Sequence, residues 1–154
     1  LFSDTQTLEV PDFQRNYSWG EDQIDEFHKD ITFATRQQLD HFLGSVILMK
    51  TSSEESNKVF QVIDGQQRLT TLTILLIKLH NKAKELECDS DFTEWINSKI
   101  TGFSGGKRSY WMNHEKSIEV LKDLFENKKE HKEIDTSASI TSVNLVANYG
   151  TISK

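Results

Sequence analysis

Cysteine and proline are almost absent from the 154-residue sequence, which contains one residue of each. The single cysteine, Cys88, excludes an internal disulfide and a zinc site built from cysteines. The sequence also lacks an apolar run as long as a membrane span, since the longest stretch, Leu72 to Leu79, is interrupted by Thr73 and Lys78. No signal peptide is visible. A length of 154 residues indicates one globular domain, and a reducing cytoplasm is its expected location.

Positive charge is also in short supply, because 24 acidic residues against 18 basic ones give a formal net charge of −6. We therefore do not expect a surface that grips nucleic acid over its whole extent, although a local basic pocket is compatible with this balance. Several catalytic motifs are missing as well. No two histidines stand at metal-ligand spacing, and neither a Walker-type glycine-rich loop nor a serine nucleophile elbow occurs.

The spacing of apolar residues predicts a mixture of strands and helices. Residues 7–10, 42–49 and 58–63 are β-prone runs, and residues 42–63 are typical of a hairpin. Gly44 lies inside this hairpin, where a glycine often marks a bulge or a close backbone approach. The predicted helices are residues 21–37, residues 66–86, a segment capped by Asp89-Ser90-Asp91, residues 114–128 and a last one from Ser142 to Ile152.

These elements predict an α+β fold in which a small mixed β-sheet packs against several helices. A single domain over residues 1–154 is expected, with a motif-bearing core in residues 1–88 and a helical continuation in residues 89–154. Residues 101–106 are predicted as a glycine-rich loop, and residues 108–112 as a short strand. The chain starts at Leu1 and ends with helical character still continuing, so we interpret it as an N-terminal fragment of a longer protein.

The helix over residues 66–86 is the longest apolar-periodic segment. Leu75 and Leu86 widen its main stripe into a face that we expect to be well buried. The main stripe consists of Leu69, Leu72, Leu76, Leu79 and Ala83.

The junction between the second run of the hairpin and this helix is the candidate site. Asp64-Gly65 is a common turn dipeptide, and Gly65 allows a positive φ angle or a close backbone approach. The first turn of a helix has unpaired N–H groups and a partial positive charge, so oxyanions such as phosphate bind there. Arg68 adds a forked cationic donor to that turn, and Gln66 and Gln67 add neutral donors and acceptors. We interpret the junction as a site for the phosphates of a nucleotide.

A simpler interpretation of the same residues stays open. Asp64 followed three residues later by Gln67 is a capping-box pattern, which needs no ligand. Short motifs of this kind often occur without a ligand, so the residues alone do not decide between the two.

The loop Gln14-Arg15-Asn16-Tyr17-Ser18-Trp19 is the second group of candidate residues. Gln14 and Arg15 can reach a phosphate or a base, and Tyr17 or Trp19 can stack on a base. Both aromatic residues can instead fill the core beside the start of the helix. For Trp19 we favour packing in the core, because large aromatic residues are mostly buried.

Three ordered segments resemble the N-terminal domain family of GmrSD-type modification-dependent restriction enzymes. Residues 10–19, Val-Pro-Asp-Phe-Gln-Arg-Asn-Tyr-Ser-Trp, are similar to its entry motif Ile-Pro-x-Tyr-Gln-Arg-x-Tyr-x-Trp. Residues 42–47 resemble its Phe-Leu-Gly-Ser-Ile strand, and residues 64–72 resemble its Asp-Gly-Gln-Gln-Arg signature. The three motifs cover about residues 7 to 80. One departure is Phe13 in place of the usual tyrosine, which removes a phenolic hydroxyl.

This resemblance implies a fold like that of the ParB and sulfiredoxin group, and a nucleoside triphosphatase activity coupled to a nuclease domain further along the chain or on a partner. It places Gln14 and Arg15 opposite the nucleotide site. Asp64 would hold a divalent cation, Mg²⁺ or a similar metal, or orient water, which makes it both a catalytic residue and the metal ligand. Arg68 and Gln67 would join it as catalytic residues. The nucleoside triphosphate would be bound by Gln14, Arg15, Gly65, Gln66, Gln67 and Arg68.

A different function is also compatible with the sequence. ParB-like relatives contact DNA, so the domain would then bind or sense DNA without catalysis of its own, and the acidic composition weighs against this alternative. In the leading interpretation, DNA is reached through the full-length protein, and no membrane is involved.

Overall fold

The computed structural model describes residues 6–51, 58–104, 107–114 and 116–152, and these ranges contain both helices and strands. The predicted α+β class is confirmed, whereas the ParB-like assignment stays a prediction. The helices are α1 (Glu21–Gln37), α2 (Gln66–Glu85), α3 (Ser90–Ile100), α4 (Ile118–Glu126) and α5 (Ile140–Thr151). The strands are β1 (Gln6–Val10), β2 (Ile47–Lys50), β3 (Lys58–Asp64), β4 (Thr101–Ser104), β5 (Lys107–Tyr110) and β6 (Met112–His114).

The main sheet has the strand order β2-β3-β1-β6. Strand β1 is parallel to both β3 and β6, and β2 is antiparallel to β3. The predicted hairpin is therefore present, although residues 42–46 are not part of a strand. The backbone at Gly44 has a φ angle of +92°, which leaves the extended conformation and directs this segment toward Arg68.

Helix α2 lies between two clusters of buried apolar side chains. One cluster packs the helix against the sheet through Leu8, Val62, Leu69 and Met112. The other joins α2 to α3, α4 and α5. Because α2 contributes to both clusters, its first turn is held in a fixed position relative to the ends of the strands. The second cluster includes Tyr17, Ile74, Ile77, Ile96, Leu121, Leu124 and Leu145.

The predicted apolar stripe of α2 is partly wrong. Leu69 and Ala83 are buried, but Leu79 and Leu86 are 47% and 63% exposed. The buried face is rotated toward Ile74, Ile77 and a set of threonines, because each threonine hydroxyl has a hydrogen-bond partner. Thr70 pairs with His114, Thr71 pairs with Tyr17, and Thr73 donates to the carbonyl of Leu69. A hydroxyl that keeps a hydrogen bond can be buried at little energetic cost. A pattern based on apolar residues alone does not identify such positions.

Local signals placed several helix starts correctly. Asp89 caps α3 by accepting hydrogen bonds from the amides of Asp91 and Phe92. Helix α1 has the predicted bounds, and the amide of Gly20 donates to Oε1 of Gln23 at its start. Helix α4 begins at Ile118 rather than at residue 114, because His114 ends a strand of the sheet.

The predicted loop over residues 101–106 is wrong for residues 101–104, which form β4 and pair antiparallel with β5. Gly102 is needed there because the ring of Trp111 lies where a Cβ atom would be. Gly105 and Gly106 lie outside the described residues. None of the helices in the described ranges is long and apolar enough to cross a membrane.

Candidate functional site

The carboxyl ends of three parallel strands meet at one edge of the main sheet. Strands β1, β3 and β6 end at Val10, Asp64 and His114 and run in the same direction. Open sheets with parallel strands bind ligands at this edge. Helix α2 starts here, one residue after β3 ends, so its first turn faces the same space.

Gly65 forms the turn between β3 and α2. Its φ angle is +90°, and a Cβ atom would lie 3.1 Å from Cγ2 of Val46 and 3.2 Å from the carbonyl oxygen of Ser45. Both reasons given for a glycine here are therefore confirmed, since the backbone is left-handed and its neighbours are close. Gly65 is also the N-cap of α2, and no side chain caps this helix. The capping-box interpretation of Asp64 and Gln67 is wrong.

The two glutamines that open α2 hold the backbone of the preceding loop. Nε2 of Gln66 donates to the carbonyl of Arg15 at 3.0 Å, and Nε2 of Gln67 donates to that of Asn16 at 3.0 Å. Oε1 of Gln67 accepts from the amides of Ser18 and Trp19 at 2.8 and 3.2 Å. Both glutamine side chains are buried. Their amides fix the loop over residues 14–19 against the start of the helix.

A cavity of about 310 Å³ lies between this loop and the start of α2. Gln14 approaches it from the loop, where Nε2 donates to the carbonyl of Ile63 at 3.3 Å. Arg15 is exposed beside it, and Arg68 is half-buried on the other side. The structure thus brings together all of the predicted site residues. The lining consists of Gln14, Arg15, Trp19, Ile63, Asp64, Gly65, Gln66, Gln67 and Arg68.

Arg68 is held by the segment that precedes β2. Its Nη1 donates to the carbonyl of Leu43 at 2.9 Å, and its guanidinium covers Gly44. A planar guanidinium has five N–H donors, so one hydrogen bond leaves others for a ligand. This contact links the second and third sequence motifs. It also explains the glycine at position 44, because a Cβ atom there would overlap the guanidinium of Arg68.

The charges around the cavity favour an anion. Arg15 and Arg68 face a single acid in the lining, Asp64, and the first turn of α2 contains no acidic residue. Oε1 of Gln66 is buried and has no hydrogen-bond partner among the described residues. No group of three or more metal-binding side chains occurs in the described residues. Asp64 therefore offers a single exposed carboxylate, and a metal at this position would have to take its other ligands from a bound phosphate and water.

The two aromatic residues of the loop have different environments. Tyr17 is fully buried, and its hydroxyl bonds to Oγ1 of Thr71 at 2.8 Å and accepts from Nδ2 of Asn148 at 3.0 Å. Burial raises the pKa of Tyr17 against the smaller opposing effect of these hydrogen bonds. Tyr17 is thus a core residue. Trp19 packs edge-on against Phe27 and also lines the cavity, so the favoured core packing and contact with the site coexist.

Helix α5 contains site-supporting residues that the sequence did not single out. Oγ1 of Thr141 accepts from the amide of Tyr17, and Nδ2 of Asn144 donates to the carbonyl of Tyr17. Nδ2 of Asn148 donates to the carbonyl of Trp19 at 2.7 Å. Polar residues at positions 141, 144 and 148 share one face of a helix, and that spacing was the available signal.

His114 lies beside a smaller cavity of about 60 Å³ that also borders Gln14 and Arg15. Its Nε2 shares a 2.7 Å hydrogen bond with Oγ1 of Thr70. Burial lowers the pKa of His114 to about 4, so the imidazole is neutral at physiological pH. At the rim, Lys116 and Asp12 form an ion pair of 2.6 Å.

Comparison with known proteins identifies the family of the chain. The model of the family described as GmrSD restriction endonuclease, N-terminal domain, matches residues 1–152. No curated protein matches the chain. The match covers all three motifs and the helices that support them. The chain therefore belongs to the family of N-terminal domains of GmrSD restriction endonucleases, and it is a domain of a restriction system.

Proposed function

We propose that this domain binds and hydrolyses a nucleoside triphosphate, and that hydrolysis regulates a nuclease domain outside this chain in a restriction protein that senses modified DNA. One observation carries the proposal. The start of α2 has no side-chain cap, and it opens with Arg15 and Arg68 onto a single cavity. A volume of about 310 Å³ lies at the lower end of the range typical of small-molecule sites.

The phosphates occupy the space in front of Gly65. Backbone N–H groups of the first turn of α2 point into a site of this kind, and the helix dipole adds a partial positive charge. Gly65 lets the phosphates approach the backbone closely, because a side chain there would also meet Val46. Arg15 and Arg68 neutralise the remaining charge from opposite sides.

Transfer of the terminal phosphoryl group requires little beyond positioning and charge stabilisation. Arg15 is exposed, so its side chain can move onto the phosphates when they bind. The guanidinium of Arg68 is already fixed by Leu43. Asp64 orients the attacking water or a metal, and bound Mg²⁺ would supply further charge neutralisation at the phosphates.

Gln66 and Gln67 are positioning residues, because their side chains hold the backbone of the loop over residues 14–19. The oxygen and the nitrogen of the Gln67 side-chain amide are both bonded to the loop backbone, so its contribution to catalysis is to keep the backbone at Arg15 at a fixed distance from the start of the helix. Gln66 does the same through the carbonyl of Arg15.

Calorimetric titration with ATP, GTP, CTP and UTP in the presence of Mg²⁺ tests this proposal. We expect at least one triphosphate to bind, and we expect Arg15→Ala to weaken binding by about tenfold or more, because a charge-assisted contact is lost. Arg36→Ala removes the same charge from the exposed last turn of α1 and should leave the affinity unchanged. Absence of binding, or equal binding by Arg15→Ala, would overturn the assignment.

A further inference from the structure

We propose that a second cavity beside the phosphate cavity receives the nucleobase of the same nucleotide. This inference rests on the proposed function and specifies how the rest of the ligand is held. The second cavity has a volume of about 230 Å³. It is bordered by Trp19, Gln23, Glu26, Phe27, Asp30, His41, Phe42, Leu43 and Arg68.

The two cavities are adjacent, because Trp19 and Arg68 line both of them. In our proposal, a ligand whose anionic end contacts Arg68 in the first cavity extends past Trp19 into the second. A nucleotide has this arrangement, with a charged end and a flat, weakly polar end.

The walls of the second cavity suit a planar ring. Phe42 is 83% exposed, which is the largest exposure among the apolar side chains of the described residues. Leu43 and the edge-packed pair of Trp19 and Phe27 form the apolar remainder. Stacking of a base on an aromatic side chain is favourable for every base. A base that stacks on Phe42 would explain why this large apolar side chain is exposed beside the cavity.

The polar groups of the second cavity indicate which bases it prefers. Glu26 and Asp30 present carboxylates, which only accept hydrogen bonds when ionised. Oε1 of Gln23 is already used by the amide of Gly20. Asp30 lies 4.0 Å from Nε2 of His41, which leaves the Glu26 carboxylate as the less engaged acceptor. We expect bases with exocyclic amino groups to bind more tightly than bases that offer a carbonyl at the same position.

Affinities for nucleoside triphosphates and for inorganic tripolyphosphate, both with Mg²⁺, test the proposal. Because Phe42 is so exposed, Phe42→Ala should fold normally. We expect it to weaken the best-bound triphosphate by about five- to tenfold, the effect of losing one stacking partner. Its affinity for tripolyphosphate should not change. Phe92→Ala, on helix α3, removes a half-exposed aromatic ring that lines neither cavity and should alter neither affinity.

The outcomes separate the two proposals. If Phe42→Ala binds triphosphates as tightly as the original protein, or loses tripolyphosphate to the same extent, the base cavity is wrong and the phosphate site stands. If neither ligand binds the original protein, both proposals fail. Glu26→Gln provides a second measure, since it should reduce the preference for CTP over UTP and for ATP over ITP. An unchanged preference would remove the role of Glu26.

Discussion

The guanidinium of Arg68 occupies the space beside Gly44 where a Cβ atom would otherwise lie. The two residues come from different motifs, and the carbonyl of Leu43 secures the contact through a 2.9 Å hydrogen bond with Nη1 of Arg68. Gly44 also has a φ angle of +92°, so two independent constraints require glycine. The direction of the Arg68 side chain thus depends on a residue 24 positions earlier in the chain.

The substitution Gly44→Ala should displace this guanidinium. We expect the free energy of unfolding to fall by about 1–3 kcal/mol, because a residue with a Cβ atom is strained at this φ angle. Triphosphate affinity should fall by about tenfold, because Arg68 loses its fixed position. Urea unfolding and calorimetric titration measure the two effects. Gly20→Ala is the matched control, since the nearest atom to its added Cβ lies 3.7 Å away. Equal affinity in Gly44→Ala would show that Arg68 does not contact the ligand.

Removal of the Gln67 side chain should loosen the loop over residues 14–19. Gln67→Ala leaves the amides of Ser18 and Trp19 and the carbonyl of Asn16 without their partner. We expect a loss of roughly 2–4 kcal/mol in the free energy of unfolding, because three partly buried backbone groups lose their hydrogen bonds. Urea denaturation measures the loss.

The control for Gln67→Ala is Gln23→Ala, which breaks one exposed hydrogen bond at the start of α1. A loss of about 1 kcal/mol or less is expected there. Similar losses in both variants would contradict a special role for Gln67 in holding the loop.

Replacement of the carboxylate at the cavity should separate binding from hydrolysis. We expect Asp64→Asn to bind triphosphate without metal at least as tightly, because a negative charge near the phosphates is removed. Its rate of phosphate release should fall by about a hundredfold or more, the usual effect of losing a group that positions water or metal. Asp25→Asn, on the exposed surface of α1, should keep both properties. Undiminished turnover in Asp64→Asn would exclude a catalytic role.

The buried imidazole of His114 should make the fold sensitive to acid. The pKa of His114 is about 4 in the folded protein and about 6.5 when unfolded, so protonation favours the unfolded chain. Stability is complete above pH 6.5 and decreases as the pH falls from 6.5 toward 4, by about 3 kcal/mol at most. Unfolding free energies between pH 7.5 and about 4.5 measure the decrease.

The variant His114→Gln should flatten this part of the pH profile, because glutamine does not titrate and still offers a hydrogen bond to Thr70. His28→Gln changes an exposed histidine and should leave the profile as it is. Parallel profiles for His114→Gln and the original protein would contradict the assigned burial effect.

Local chemistry made several features predictable from the sequence. The bounds of α1, the cap at Asp89 and the left-handed turn at Gly65 each follow from a few adjacent residues. The candidate cavity was located for the same reason, since the end of β3, the turn and the first turn of α2 are contiguous. The family resemblance then added Gln14 and Arg15 to it.

Contacts between distant segments were not predictable in this way. The amide of Gln67 bonds to backbone groups about 50 residues away, and Asn148 bonds to the carbonyl of Trp19 at a separation of 129 residues. The burial of the threonines on α2 was not predictable for a related reason, because the hydroxyl of Thr70 has its hydrogen-bond partner, His114, on strand β6. Apolar periodicity predicts which face of a helix is buried, but it does not predict which polar residues find hydrogen-bond partners in distant segments.

The hydrogen bonds between α5 and the loop over residues 14–19 tie the position of this helix to the loop. Asn144 and Asn148 donate to the backbone carbonyls of Tyr17 and Trp19, a few residues after Arg15. We therefore expect a change that displaces α5 to alter ligand binding at Arg15, and we expect the ligand to affect α5 in return.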